Sequence, residues 1–204
     1  MSGISLSGTN RREGVSLSRQ RRSNRPTGLQ WTAEAADLPD EPVSTSTAAE
    51  FLALGNLGQQ ATVLATIIQG VRQLVEKRIG RLLIRRNVTA EWSRVPSYVS
   101  LPLPPHGEVQ SVVKYTGQGQ SETLPDDKWY TRGLDRIKLY PNGGADHGLK
   151  VEFTAGYESC PRALRMQMLR DIADRYDKRD DVVLGESVTT LPDSSAYDAW
   201  RVLG

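Results

Sequence analysis

Cysteine, histidine and phenylalanine are nearly missing from this chain of 204 residues, with one of the first and two of each of the others. A lone Cys160 excludes an intrachain disulfide framework and suits a reducing compartment. His106 and His147 each sit beside a glycine in a turn-like stretch, with no second ligand at metal spacing, so zinc is not expected. No apolar run approaches the length that spans a bilayer, and the opening MSGISLSGTNRREG lacks the hydrophobic segment of an export signal. Neither a membrane partner nor a cofactor is expected.

Charge is short in sum but not in distribution. The formal net charge is +2, yet residues 1–25 carry Arg11, Arg12, Arg19, Arg21, Arg22 and Arg25 against Glu13, while residues 31–50 carry Glu34, Asp37, Asp40, Glu41 and Glu50 with no base. A basic block followed by an acidic one, both rich in Ser, Thr, Gly and Pro, reads as an N-terminal arm over 1–44, flexible or wrapped around a neighbour. The arm is either a solvated tail or, through phosphate neutralisation, a nucleic-acid contact.

From Thr45 onward the pattern is that of a folded domain, expected over 45–183 with a tail at 184–204. Thr47 and Glu50 have capping-box spacing at the start of a short helix. Leu64, Ile67, Ile68, Val71, Leu74, Val75 and Ile79 then recur at three- and four-residue steps, predicting a long helix that stops at Gly80. The period next changes to two, over 82–92, 98–103, 109–115, 128–131, 136–140 and 149–155, with short turns that favour an antiparallel meander. Helical spacing returns after Pro161 with Leu164, Met168 and Ile172, and a last short helix is expected within LPDSSAYDAWRVL. The fold class is therefore α+β. It is a small helical bundle of two N-terminal helices, one long helix and a short C-terminal helix, with an antiparallel β-sheet inserted between them.

Nothing in the chain spells a catalytic site. Asp126/Asp127 and Asp180/Asp181 sit at element ends, where turn and capping roles account for them. Asp171, Asp174 and Asp177 alternate with Arg170, Arg175, Lys178 and Arg179 as an ion-pair face rather than a metal cluster. Ser111 and Lys114 form an S-x-x-K on a strand, and the GQG at 117–119 opens no helix. Cys160 precedes a helix start, a position that lowers a thiol pKa, but a structural role is favoured because it has no His partner. The PLPP at 102–105 has the look of a polyproline ligand, yet its strand-like flanks favour a corner.

Several stretches carry a family resemblance by their order. VEKRIGRLLIRR (75–86) is followed by Trp92, then LPLPPHGEVQSVVKY (101–115), WY (129–130), RIKLYP (136–141), VEFTAGYESCPRALRMQMLRDIADRYDKRD (151–180) and LPDSSAYDAWRVL (191–203). Together they resemble the tailed-phage head–tail connector family, also called adaptor or head-completion proteins, which includes proteins of gene transfer agents. The resemblance spans roughly 45–203. The first helix lacks the family's Leu-Arg pair, and residues 1–44 have no counterpart in it.

The resemblance implies a structural virion protein without enzymatic chemistry. It would be assembled in the host cytoplasm and placed in the neck at the head–tail interface. Copies would form a ring, twelvefold to match the portal, that prolongs the DNA channel and offers a platform to a stopper or tail-completion protein. The expected portal or neighbour contacts are Leu191, Pro192, Tyr197, Trp200, Arg201 and Leu203. Helix packing between subunits is expected at Ile67, Val71, Leu74, Leu164, Met168 and Ile172. The turns at 116–127 or 141–148 are the candidates for facing the packaged DNA. The alternative is a nucleic-acid-binding accessory protein that acts through the Arg-rich arm.

Overall fold

A computed structural model describes residues 28–35, 41–55, 57–58, 60–95, 97–116, 119–133, 137–142, 147–178 and 194–202. The arm arginines, as well as Leu191, Pro192 and Leu203, lie outside these residues.

In chain order the elements are β1 (Gln30–Ala33), α1 (Thr45–Phe51), α2 (Gln60–Ile79), β2 (Arg86–Trp92), β3 (Val99–Ser100), β4 (His106–Thr116) and β5 (Gln120–Thr123). They continue through β6 (Trp129–Arg132), β7 (Lys138–Pro141), β8 (Leu149–Ala155), α3 (Arg162–Asp177) and a terminal 3-10 helix (Ser194–Trp200). The α+β class is as expected, but the strands do not form one meander. They form a five-stranded sheet of order β1-β2-β8-β4-β5 and a three-stranded sheet of order β3-β7-β6. Every ladder is antiparallel.

Each layer has its own core. Leu64, Ile68, Val71, Val75 and Ile79 of α2 meet Leu164, Met168 and Ile172 of α3 in a helical core that also takes in Val43, Ala48 and Ala49. The two sheets close on a second core, in which Trp92, Phe153, Val151 and Leu149 face Val99, Leu101 and Leu139. The period-2 alternation of β8 puts Leu149, Val151, Phe153 and Ala155 inward and leaves Lys150, Glu152 and Thr154 half-exposed on the other face.

Two crossings run between the cores wholly within the described residues: 80–86, leaving α2 for β2, and 155–161, leaving β8 for α3. Leu82 enters the sheet core and Leu83 the helical one. The crossings touch at Gly156, whose φ of +109° suits glycine, and where a Cβ would collide with the carbonyl oxygen of Ile84. A half-buried carboxylate fixes the same junction. Glu76 Oε1 accepts from the Leu83 N–H at 2.9 Å, and Arg86 Nη2 donates to both Glu76 oxygens at 2.8 Å. Arg72, one turn earlier on α2, donates through Nη1 to Glu76 and through Nε to Glu41, each at 2.9 Å. Burial raises the Glu41 pKa above the usual carboxylate range, and the Arg72 hydrogen bond and charge oppose that rise.

Local signals also resolve differently from the sequence reading. The N-cap of α1 is Ser44, whose Oγ accepts from Thr47 N–H at 3.1 Å, so the Thr47–Glu50 pair lies inside the helix. Residues 82–85 bend across the junction, which delays β2 to Arg86. The stretch read as a turn at 116–127 contains β5, paired through Val113↔Thr123 to Thr116↔Gln120. The proline stretch is a corner: Leu101 and Leu103 are buried and Pro104–Pro105 is cis. His106 holds it closed, with Nε2 directed at the carbonyls of Leu101 and Pro102, both at 3.0 Å, and Nδ1 accepting from Ile137 N–H.

Two glycines make opposite predictions. Gly156→Ala is expected to lower stability by about 2–4 kcal/mol, because it meets both a positive φ and a backbone wall. Gly70→Ala on α2 is expected to raise it by about 0.5–1 kcal/mol, since a Cβ there meets nothing within 4 Å. Chemical denaturation of both variants checks the pair. Glu76→Ala removes the acceptor shared by Arg72, Arg86 and the Leu83 N–H, leaving Arg72 to Glu41 and Arg86 to the Glu34 carbonyl, and is expected to cost about 2–4 kcal/mol by the same assay. Cys160 is buried and its thiol pKa is pushed up to about 11 by desolvation, which overrides its place before α3. Labelling of Cys160 by a disulfide reagent at pH 8 is therefore expected to run more than about 100-fold slower than for free cysteine until the protein is unfolded.

Candidate assembly surfaces

The residues expected to contact other chains fall into three groups. Val71, Leu164, Met168 and Ile172 are at most 1% exposed and pack within this chain's own helical core, so they offer no surface to a neighbour. Their regular spacing is that of an intrachain helix pair. Ile67 and Leu74, on the flank of the same stripe, are half-buried.

The terminal segment folds back in the same way. Tyr197 is fully buried against α2 and α3, and its hydroxyl donates to the buried Asp171 carboxylate. Arg78 pairs with Asp198 at 2.7 Å, Arg81 Nε donates to the Trp200 carbonyl, and Val202 N–H reaches the Ile79 carbonyl at the end of α2. Tyr197 is thus a clasp on its own helices rather than an outward anchor. Trp200 is half-buried against the helical core, and Arg201 is exposed.

Part of the acidic block is also structured. Gln30 to Ala33 form β1, paired with β2 from Gln30↔Glu91 to Ala33↔Val88, so this edge strand is an integral part of the larger sheet. Arg86 Nη1 and Asn87 Nδ2 hold Glu34, and Glu41 joins the buried network described above. β1 leaves Leu29 and Trp31 exposed at 43% and 48%. Trp31 borders a cleft of about 610 Å³ that runs along α2 past Gln69, Gln73 and Lys77 to Leu82 and Leu103. A second hollow, of about 380 Å³, lies between Arg85, Tyr157, Glu158 and Arg165.

Three more exposed apolar side chains, Phe51, Val63 and Met166, lie on α1, α2 and α3. The outer face of the small sheet carries Tyr98, Tyr130 and Tyr140 with Arg132 and Lys138 (register in the ladders of β3, β6 and β7). The open face of the larger sheet is polar: Ser111 and Lys150 both bond Glu152, which lowers the Glu152 pKa, Lys150 contributing most. Ser111 is thus occupied structurally. Among the described residues, no three His, Cys, Asp or Glu side chains come together as a metal site, and no helix is long and apolar enough to cross a membrane.

β1 and the Tyr197–Asp171 clasp were missed in the sequence reading. QWTA is too short to display alternation, and a helical aspartate among arginines gives no sign of a buried partner. No protein-family model matches the chain, and no curated protein matches it. Its fold, however, is similar to solved structures of gene transfer agent particles. A chain of the neck of an empty particle, computed with C6 symmetry, aligns with a TM-score of 0.67 at 19% identity over 86% of this chain and 96% of that one. A chain of the native virion aligns at 0.66 and 19% identity, and one from the native neck computed with C12 symmetry at 0.64 and 16%, both with the same coverage. The fold implied by the family resemblance is the fold this chain has.

Proposed function

We propose that this chain is a structural component of a particle neck: an adaptor that forms a ring beneath the portal, extends the DNA channel and presents a platform to a stopper or tail-completion protein. The observation that carries this reading is the fold match over 96% of a neck chain. It acts by assembly rather than by catalysis, and its place is the head–tail interface of a virion assembled in the host cytoplasm.

The surfaces support the reading. A head-to-tail contact repeated around an axis needs two different patches on one subunit. The helical side offers Phe51, Val63 and Met166, and the sheet edge offers Leu29 and Trp31 beside the α2 cleft. Ile67 and Leu74 are the members of the predicted helix-packing set that retain some surface. Trp200 and Arg201 remain available for the portal, whereas Tyr197 supports them from below. Truncating the tail would also remove Tyr197 from Asp171, so point substitutions are the cleaner probe of docking.

Purified protein, alone and mixed with its portal, is expected to give rings by mass measurement and negative-stain imaging, with twelvefold order on the portal. A monomer that ignores the portal and binds DNA tightly through the Arg-rich arm would overturn the reading in favour of an accessory nucleic-acid-binding protein. Val63→Glu and Trp31→Ser are expected to shift monomer stability by less than about 1 kcal/mol while impairing ring formation. Arg201→Ala is expected to weaken portal binding and leave the fold intact.

A further inference from the structure

The small sheet has a core face and a solvent face. Val99 and Leu139 point into the sheet core. The alternate positions therefore bring Tyr98 and Ser100, Lys138 and Tyr140, and Tyr130 and Arg132 together on the outer side, with Tyr130↔Tyr140 and Arg132↔Lys138 directly paired. The three phenol rings form a row across the strands. Tyr130 and Tyr140 stack at 4.9 Å with 3° between their planes, and Tyr98 follows at 5.3 Å from Tyr140.

The cations rest on this row. The Arg132 guanidinium lies 5.3 Å from the Tyr130 centroid and 5.8 Å from that of Tyr140, and the Lys138 ammonium lies 4.9 Å from the Tyr98 centroid. Neither cation has a carboxylate partner among the described residues, and none of the six outer-face residues named above is acidic. Arg132, Lys138 and Ser100 are exposed, and Tyr130 is 43% exposed.

We propose that this Tyr–Arg–Lys face is where the subunit meets the phosphate backbone of duplex DNA passing through the ring. The inference rests on the neck reading and deepens it by naming the DNA-facing surface. Every polar group on the face is a donor that suits a phosphate oxygen: three phenols, one hydroxyl, one ammonium and one guanidinium. Parking the guanidinium on tyrosine rings reduces the ordering cost when its N–H edge meets a phosphate. A protein partner would be expected to insert anchors into pockets. Neither hollow described above is lined by a residue of this face, whereas a phosphate backbone needs no hollow. Backbone contacts carry no sequence information, and two cations per copy give a contact that DNA can slide past.

The test uses the full chain and a mixed-sequence 30-base-pair duplex, with anisotropy read across a salt series. The Arg-rich arm contributes equally to both proteins, so the comparison isolates the sheet. R132Q/K138Q is expected to bind roughly tenfold more weakly per cation near 0.1 M salt and to flatten the log–log salt slope by about 2. Should that variant fold poorly, Ser100→Glu on the exposed edge is expected to weaken binding in the same direction. In parallel, a benzophenone amino acid at position 130 is expected to crosslink to DNA in portal-bound rings, and the same probe at the exposed position 158 is not.

Unchanged affinity and slope, or crosslinks from position 130 to protein in place of DNA, overturn the proposal. Imaging the same samples separates the two claims. Rings without the sheet–DNA contact remove only this inference, and the absence of rings with the portal removes the neck reading.

Discussion

The Glu76 carboxylate is the point on which the architecture turns. It sits near the end of α2, where the chain must leave a helical layer and enter a sheet, and it binds all three parts of that passage. Arg72 reaches it from within the helix, the Leu83 N–H from the crossing, and Arg86 from the first residue of β2. A carboxylate accepting this many donors fixes the exit direction of the strand, and everything downstream in the larger sheet is registered on β2 through β8. Glu41 extends the arrangement to the segment before α1, so the formal charges of the four side chains cancel. Such a network adds little net stability over apolar packing but strongly penalises any geometry that breaks it.

This matters because neither core is large. A small core buries too little apolar surface to hold its own shape firmly, and two such cores need a firm junction to keep their relative angle. Gly156 and Glu76 make it firm from opposite crossings. The glycine lets the β8–α3 crossing lie flush on Ile84, and the carboxylate ties the α2–β2 crossing to the helix. In the proposed ring that stiffness would matter, since any angular play in one copy accumulates around the circle.

The sequence disclosed what repeats and concealed what pairs. The apolar stripes of α2 and α3 extend over several turns, and β8 alternates cleanly, so each was legible with bounds within a few residues of those observed. β1 and β5 have four residues each and are exposed along most of their length, so burial never imposed an alternation to read. The division into two sheets is written in contacts between distant strands, such as β2 with β8, which no local pattern encodes. The expected surface residues illustrate the same limit. Spacing identifies an apolar stripe on α2 and α3 but not what it faces, and the structure gives most of that stripe to the chain's own interior. The three tyrosines of the small sheet are scattered over more than forty positions, and only strand pairing makes them a row.

The clasp of the terminal segment on α3 has a consequence for the order of synthesis. Asp171 and the Ile79 carbonyl at the end of α2 are met by Tyr197 and Val202, which leave the ribosome after everything they close upon. The sheet layer has its eight described strands translated by Ala155, just ahead of α3 and some forty residues ahead of Tyr197. A nascent chain therefore carries a completed β-layer beside a helical layer that still lacks its seal. Its exposed helical faces are then open to a chaperone or to a neighbouring nascent copy before the subunit can close on itself.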